Sequence, residues 1–367
     1  MSDSDRTAER PSATPVRQLG AADVEVDVFV SGLLFFDIVF TGFNQPPSPG
    51  TEVWTEGMGS GPGGIANFAV PLRRLGMRTA LAAAFGPDVY GEYCWEVLAD
   101  QEGVDLSRSR RFPGWHSPVT VSMAYQQDRA MVTHGHRPPV SPDELIGRPP
   151  TCRAAVVSLD SQRQNWLAAA HANSSLVFAD VGWDPSEAWR ADVLEQLRFC
   201  HAFTPNETEA MHYTRADDVR TALSRLADLV PVAVITQGGS GALAVDGTTG
   251  EFASVPGLFT NALDATGAGD VFGAGLIVAT LAGWSLADRL RFANLTAALS
   301  VAHFGGALAA PGWAEISQWW QGIRDNQRAA ELRSQYEFLD DVVPADVARL
   351  ARRAPVTIGF VDGNAVS

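Results

Sequence analysis

The feature that most constrains the fold is a helical segment that lacks a polar side. Val271–Leu281 is apolar or small at nearly every position. A helix that is apolar on all faces is expected to lie buried inside a larger core. The chain has 367 residues, of which 46% are hydrophobic, and this is ample for one large α/β domain with such a core.

The stretch that leads into this helix, Asp264–Asp270, is small and glycine-rich. Backbone N–H groups at such a helix start can face a ligand, and with the positive end of the helix dipole they form an anion site. A carboxylate there is electrostatically costly. One explanation is that Asp270 takes a proton from a hydroxyl while the amides hold the phosphoryl group that it attacks. The same residues equally suit a glycine turn in which Asp270 is only a helix-start carboxylate.

Composition excludes several classes of function. The net charge of −15 and the pI of about 4.8 argue against nucleic-acid and anionic-membrane partners. The chain contains no lysine, which excludes P-loop nucleotide sites, protein kinases and Schiff-base enzymes. The three cysteines show no metal spacing, and neither a signal peptide nor a membrane-spanning run is evident. We therefore expect a cytoplasmic protein with free thiols.

Strands that alternate with helices predict a doubly wound, mostly parallel sheet with helices on both faces. Strands are expected at 24–32, 78–85, 154–159, 175–179, 199–203 and 232–236, and helices at 65–76, 162–172, 186–197, 206–229 and 291–303. A β-hairpin at 116–133 could cover a cleft. Three regions follow: a disordered leader at 1–23, the main domain at 24–325, and a peripheral helical extension at 326–367.

Polar residues follow several of these strands, at the sheet edge where open α/β sheets bind ligands. Asp37 is predicted in a loop just past the first strand, where an ordinary structural role is also possible. Asn206 and Glu209 share one face of a helix start, which suits either a ligand site or a capping box. Asp180 and Asp184 are interpreted as structural loop carboxylates.

Four motifs together resemble the ribokinase-like, or PfkB, family of carbohydrate kinases, from about residue 24 to 311. Asp264–Gly275 resembles the C-terminal signature of that family, and Gly63–Gly76 resembles its N-terminal signature. The segments at 204–209 and 236–241 resemble its metal-linked and nucleotide-binding motifs.

The resemblance implies a Rossmann-like fold with a small β lid, whose strands lie near 45–60 and 116–134, and ATP- and Mg²⁺-dependent phosphorylation of a hydroxyl. Asp270 would be the base, with Gly267, Ala268 and Gly269 as the anion hole. Asp37, Gly63, Gly64 and Asn67 would hold the acceptor. Asn206, Thr236, Gly238, Gly241 and Asn294 would line the nucleotide site, and Asn206 and Glu209 would organise Mg²⁺ through water. Asp264, Thr266, Ser300, His303 and Gly305 would supply the ligands of a monovalent cation such as K⁺.

Two residues depart from the family pattern on the acceptor side. Pro62 replaces the first glycine of the usual pair, and Pro71 interrupts the helix predicted to carry Asn67. The acceptor is a small sugar in the leading interpretation. A nucleoside kinase would need a lid aromatic that stacks on a base, for which the candidates are Phe35, Phe36, Trp54 and Tyr125. A non-catalytic relative that binds sugar or nucleotide is a third interpretation, and the lid hairpin could pair two copies into a homodimer.

Overall fold

The computed structural model describes residues 19–345 except 44, 126–127, 185 and 327. The predicted leader therefore lies largely outside the described residues, as does the chain from 346 to 367.

An eight-stranded sheet forms the centre of the protein. Its strands are β1 (Val26–Ser31), β4 (Thr79–Ala82), β9 (Cys152–Leu159), β10 (Leu176–Val181), β11 (Ala202–Phe203), β12 (Val232–Thr236), β13 (Ala242–Asp246) and β14 (Glu251–Val255). Across the sheet they have the order β14-β13-β12-β11-β10-β9-β1-β4. The six strands β4, β1, β9, β10, β11 and β12, which are neighbours in that order, run parallel. At the β12 edge, β13 and then β14 pair antiparallel. The predicted doubly wound α/β fold is confirmed.

The central strands are continuous apolar runs because helices cover both sheet faces. Every residue of β1 is buried, and the next two strands of the sheet, β9 and β10, are buried almost throughout. Two separate apolar cores result, one on each face. The all-apolar helix predicted from the sequence lies in the first core, where it packs against the helix that follows it.

A second sheet of four strands, the lid sheet, has the order β3-β2-β7-β8. Its strands are β2 (Leu34–Thr41), β3 (Gly57–Gly64), β7 (Val119–Tyr125) and β8 (Asp128–His134). The predicted hairpin is the pair β7–β8. The loop position predicted for Asp37 is wrong, since Asp37 lies within β2. A third, small sheet pairs β5 (Ala84–Phe85) with β6 (Arg110–Arg111).

The helices are α1 (Ala66–Arg74), α2 (Val89–Glu96, continued by a π-helical turn at Val97–Gln101), α3 (Pro142–Ile146), α4 (Trp166–Ala172), α5 (Glu207–Thr214), α6 (Val219–Ala227), α7 (Ala268–Leu281), α8 (Leu286–Val301), α9 (Trp313–Asp325), α10 (Ala330–Tyr336) and α11 (Leu339–Val342). The single helix predicted at 206–229 is two helices. Arg215 ends α5 in the left-handed conformation, and the Asp218 side chain caps α6. A 3-10 helix, Ala191–Phe199, replaces the helix predicted at 186–197.

The two short C-terminal helices are anchored to the domain by their apolar residues. Tyr336 and Leu339 are fully buried in the first core. The Tyr336 hydroxyl also donates to the carbonyl of Arg291 in α8 at 3.3 Å. Within the described residues, no helix combines the length and the apolar character needed to cross a bilayer.

Candidate active site

The first turn of α7 lies at the centre of the candidate site. Gly267 precedes the helix in the left-handed conformation, with φ +72°, and as a glycine it supplies no side chain to cap the helix. The N–H of Ala268 donates to the carbonyl of Ala265 at 3.3 Å, whereas those of Gly267 and Gly269 have no partner among the described residues. Gly269 is also exposed. This helix start therefore offers at least two amides and the positive end of a 14-residue helix to an anion.

Asn67 joins the acceptor-side helix α1 to Asp270. Its Nδ2 donates to Oδ2 of Asp270 at 3.0 Å, although the two residues are 203 positions apart. A carboxylate only accepts hydrogen bonds, so this contact fixes which end of the Asn67 amide faces Asp270. The Oδ1 atom is buried and has no hydrogen-bond partner among the described residues. A buried acceptor without a hydrogen bond costs about 1–3 kcal/mol. The helix that carries Asn67 runs on through Pro71.

The amide of Asn67 fits between two glycines. A methyl group on Gly267 would come within 2.8–3.0 Å of the Asn67 amide atoms, and one on Gly306 would come within 3.0 Å of its Oδ1. Both glycines have positive φ, at +72° and +50°. Any larger residue at either position would be strained and would push the amide away from Asp270.

Three carboxylates converge where β10, α5 and α7 meet. Burial raises the pKa of Asp180 well above its ordinary value, and the charges of Asp270 and Glu209 raise it further. Burial likewise raises the pKa of Glu209 to about 7; hydrogen bonding from the Asn206 backbone opposes this rise, and the charge of Asp270 adds to it. Among the described residues, the only charged groups that shift these two pKa values are carboxylates. Such a cluster is costly when ionised, and it matches the oxygen ligands that Mg²⁺ prefers.

Asn206 and Glu209 form the capping box that the sequence allowed as an alternative. The Asn206 side chain accepts from the N–H of Glu209, and the Glu209 carboxylate accepts from the N–H of Asn206, both at 2.9 Å. Glu209 is only 6% exposed. The capping box does not prevent Glu209 from binding Mg²⁺, because a carboxylate has two oxygens and can accept more than one hydrogen bond or ligand contact.

The Asp264 side chain links the loop before α7 to the loop after α8 by hydrogen bonds. Its Oδ1 accepts from the N–H of Thr266 at 2.8 Å, and its Oδ2 accepts from the N–H of Gly305 at 3.0 Å. The N–H of His303, just after α8, donates to the carbonyl of Ser300 in the last turn of that helix at 3.0 Å. The five predicted cation-site residues therefore lie in the loop before α7 and at the carboxyl end of α8 with the loop that follows it. Thr266 also reaches the lid sheet, with its hydroxyl 3.4 Å from that of Ser122 in β7.

The residues predicted for the nucleotide lie around the carboxyl end of β12. Thr236 ends that strand and bridges to Asn206, while Asn294 in α8 donates to the carbonyls of Val255 and Pro256 at 3.4 and 3.2 Å. Gly241, with φ +101°, lies directly against the same segment, where a Cβ would collide with the Val255 carbonyl. Gly238 also has positive φ, and a side chain there would meet open space.

Asp37 and the Gly63–Gly64 pair form the lid side of the site. Asp37 is 8% exposed, and its carboxylate lies over Gly63 so closely that a Cβ on that glycine would overlap it. Gly64 has φ +58°, and a Cβ there would collide with the Leu33 carbonyl and with the ring of Phe35. The two glycines therefore bring β3 directly beneath Asp37 before α1 begins.

The loop position predicted for Asp180 is wrong, because Asp180 is the last residue but one of strand β10. It lies at the carboxyl edge of the parallel sheet, directly after the apolar run that ends at Ala179. The same argument that drew attention to Asp37, a carboxylate at the end of a buried strand, applies to Asp180 more directly.

The family of carbohydrate kinases described as pfkB matches residues 44–312, more than half of the chain. The chain belongs to that family. It is accordingly a phosphotransferase with an alcohol group as acceptor. The match begins in the segment between β2 and β3 and ends at the residue before α9, so it includes every site residue described above except Asp37.

Curated relatives act on different acceptors. A fructokinase of Klebsiella pneumoniae is 30% identical over 272 residues, which cover 68% of this chain and 85% of the relative. A ribokinase of Lactococcus lactis is 24% identical over 294 residues, 79% of this chain and 95% of the relative. A pseudouridine kinase of Escherichia coli is 27% identical, with coverage of 64% and 77%.

Solved structures have the same fold. The ribokinase of Arabidopsis thaliana complexed with ribose and ATP superposes with a TM-score of 0.65 at 22% identity, and covers 80% of this chain and 98% of that one. An E. coli protein described as a ribokinase II, in complex with ATP and Mg²⁺, gives 0.68 at 20% identity, with coverage of 80% and 99%. A nucleoside kinase of Burkholderia thailandensis with inosine gives 0.65 at 20% identity, with coverage of 80% and 97%.

Proposed function

We propose that this protein transfers the γ-phosphoryl group of ATP to a hydroxyl of a small sugar, with Asp270 as the base. The observation that supports this most strongly is the arrangement at the start of α7. There a carboxylate held by Asn67 lies in the same helical turn as amides that have no partner within the described part of the chain. Phosphoryl transfer needs alignment, charge neutralisation and one proton acceptor, and this turn supplies the last two.

Each residue has a distinct task in this proposal. The amides of Gly267, Ala268 and Gly269 stabilise the negative oxygens of the transferred group. Asp270 accepts the proton of the attacking hydroxyl, and the 3.0 Å hydrogen bond from Asn67 holds its carboxylate in place. The buried Oδ1 of Asn67 accepts a hydrogen bond from a neighbouring hydroxyl of the acceptor. Asp37 holds further hydroxyls from the lid side, together with the backbone at Gly63 and Gly64.

Two ions fit the residues present. Glu209 and Asp180, with Asn206 beside them, suit Mg²⁺, which neutralises negative charge on the nucleotide phosphates. The relative solved with ATP and Mg²⁺ supports this assignment. The loops that Asp264 joins suit a monovalent cation, with ligands from Asp264 and the backbone at Thr266, Ser300, His303 and Gly305. If that cation site exists, replacing K⁺ by Na⁺ at constant ionic strength lowers kcat, whereas equal rates in the two salts remove the site and leave the kinase assignment intact.

ATP lies along the carboxyl end of β12, near Thr236, Gly238, Gly241 and Asn294. Both sugar and nucleoside kinases occur among the relatives, so the acceptor class is decided by the lid. Phe36 does not serve as a stacking platform, because its ring packs against Tyr90 and Tyr93 of α2 with centroids 4.9 and 5.6 Å away. Phe35, beside Gly64, and Trp54, which is 83% exposed, remain the candidates for a nucleoside kinase. The side chain of Tyr125 lies outside the described residues.

A screen of acceptors tests the proposal. Pentoses, hexoses, sugar acids and nucleosides are each incubated with the protein, ATP, Mg²⁺ and K⁺, and both ADP release and product mass are measured. We expect ADP release that depends on one sugar class, with a product heavier by one phosphoryl group. Turnover confined to nucleosides favours the alternative acceptor. No phosphorylated product with any acceptor contradicts the proposal and favours a non-catalytic binding protein.

The lid sheet also offers an edge through which two copies could pair. Strand β8 is at the edge of that sheet, and its Met131 and Val132 are 53% and 62% exposed. We infer a homodimer through this edge, which light scattering after size-exclusion chromatography measures directly.

A further inference from the structure

Three of the seven histidines of the chain meet where the lid sheet joins the main domain. His116 precedes β7, His134 ends β8 and His136 follows β8. One ring nitrogen of each lies within 4.8 Å of the corresponding nitrogens of the other two. The ring centroids are 5.0–5.6 Å apart. His116 is half-buried, and the other two are exposed.

This cluster is separate from the candidate active site. Directly paired residues of neighbouring strands point to the same face of a sheet. Asp37 pairs with Thr120 of β7, whereas the preceding residue, Phe36, pairs with Val119, which in turn pairs with His134. Since successive residues of a strand alternate between faces, His134 lies on the face of the lid sheet opposite Asp37.

The backbone around the cluster is held in place from both sides. Next to His116, the Trp115 indole N–H donates to the carbonyls of His136 and Arg137 at 3.3 and 3.1 Å. On its other side, the N–H of Ser117 donates to Asp88 at 2.6 Å. The three imidazoles therefore project from backbone whose position is fixed by hydrogen bonds.

Gly135 lets the two histidine-bearing segments approach each other. A Cβ on Gly135 would come within 2.7 Å of the Pro118 side chain, so only glycine allows this approach. The His134-Gly135-His136 sequence can thus lie close against the segment that contains His116.

Three imidazoles in this arrangement match a transition-metal site. Imidazole is a preferred ligand of Zn²⁺, with Zn–N of about 2.0–2.1 Å, so ligand nitrogens in a tetrahedral site lie about 3.3–3.4 Å apart. The ring nitrogens lie within 4.8 Å of one another, so metal binding requires the exposed rings to rotate until the nitrogens reach that shorter separation. Three protein ligands leave a fourth position for water.

We propose that His116, His134 and His136 bind one Zn²⁺ ion, which ties together the two chain segments that connect the lid sheet to the main domain. The segment at 112–118 enters β7 from β6, and the segment at 135–141 leaves β8 toward α3. His116 lies on the first segment and His136 on the second, so one ion bound to both restrains the movement of one segment against the other.

Zinc titration of the full chain, produced without a histidine tag and stripped of metal, tests this site. The buffer contains saturating Mg²⁺ so that the carboxylate cluster is occupied. We expect one equivalent of Zn²⁺ to bind, with a Kd on the order of 1 µM or tighter. Co²⁺ in place of Zn²⁺ should give the visible absorption of a tetrahedral site.

His116→Ala and His134→Ala are the test variants, and His171→Ala, at an exposed histidine of α4, is the matched control. Loss of a residue that only hydrogen-bonds to a metal ligand weakens metal binding about 10–100-fold. Loss of a ligand itself should therefore weaken metal binding at least about 100-fold. The control should bind like wild type. Zn²⁺ should raise the Tm of wild type and of the control but not of the test variants. Metal-free Tm values equal to wild type show that the variants fold. Weak binding of several equivalents, or equal binding by test and control variants, overturns the proposal.

Discussion

At the scale of single residues, Gly267 shows how one backbone conformation supports the candidate active site. Its φ of +72° would strain any residue with a Cβ, and that Cβ would also press on the Asn67 amide at 2.8–3.0 Å. The amide in turn donates to Asp270. A substitution at Gly267 should therefore act on turnover through the position of Asn67 and Asp270, in addition to its cost in stability.

Gly267→Ala and Gly283→Ala separate these two effects. Gly283 has φ +76°, and a Cβ there meets no atom within 4 Å. Gly283→Ala therefore introduces backbone strain without a steric contact. Both variants should lose about 1–2 kcal/mol of unfolding free energy. Only Gly267→Ala should lose kcat, by about tenfold or more, since one misplaced catalytic group costs up to about 100-fold. Equal kcat losses in both variants would show that the Asn67 contact has no role in turnover.

At the scale of secondary-structure elements, α1 holds Asn67 in place through a buried ion pair. The Arg74 guanidinium contacts the Glu102 carboxylate at 2.6 Å and donates to the carbonyls of Leu308 and Ala310 at 2.9 and 2.7 Å. Arg74 is 3% exposed and Glu102 is equally buried. The two carbonyl hydrogen bonds of Arg74 join α1 to the segment that follows Gly306, which is the glycine that faces the Asn67 amide.

Arg74→Met should be strongly destabilising, because it leaves the Glu102 charge buried without its cation. We expect a loss of about 3–5 kcal/mol in unfolding free energy, measured by urea denaturation. The double variant Arg74→Met/Glu102→Met removes both charges and should recover part of that loss. Exposed Arg190→Met, which breaks a surface pair with Asp192, is the control and should cost less than about 1 kcal/mol. A loss for Arg74→Met no larger than that of the control would mean that the pair does not anchor α1.

The elements that could be predicted from the sequence are those with local signals. The alternation of apolar strands with helices predicted the parallel sheet, and the all-apolar Val271–Leu281 predicted the buried helix that became α7. Strand β2 was missed because its partners β3 and β7 are remote in sequence, and only their pairing makes Leu34–Thr41 a strand of its own sheet. The break at Arg215 was missed because its left-handed conformation has no glycine to signal it.

The candidate site was likewise predicted only in part, for the residues that lie in recognisable motifs. Asp270, Asn67 and Glu209 lie in motifs whose spacing is visible in the sequence, and the structure brings Asn67 into contact with Asp270. Asp180 lies in no such motif, and its importance follows from two carboxylates that are close in space only after folding. The histidine cluster was missed for a related reason, since His116 is 18 residues from His134 and the hairpin pairing brings them together.

At the scale of the whole molecule, the converging carboxylates make stability depend on pH. The pKa of Glu209 is about 7 in the folded protein, above the ordinary value of 4.5. Between those two values the folded state retains a proton that the unfolded state releases. The unfolding free energy should therefore fall as pH rises from about 4.5 to 7, by at most about 3 kcal/mol.

Glu209→Gln should flatten this dependence, because glutamine keeps the accepting oxygen of the capping box and does not ionise. Unfolding free energies of both proteins, measured by urea denaturation across that pH window without Mg²⁺, give the comparison. Added Mg²⁺ should stabilise wild type more than Glu209→Gln at pH 7. Identical pH slopes for the two proteins would show that Glu209 does not carry a raised pKa.

The proposed phosphoryl transfer requires Asp270 as the proton acceptor, and Asp270→Asn tests this role most directly. Asparagine keeps the size of the side chain and an oxygen that can accept from Asn67, but it is not a base. Asp325→Asn, at an exposed position at the end of α9, makes the same chemical change away from the site. With the sugar identified by the screen, we predict that Asp270→Asn binds ATP like wild type and loses about 10²–10⁴-fold in kcat, while Asp325→Asn retains full activity. A kcat for Asp270→Asn within a few-fold of wild type would contradict the account.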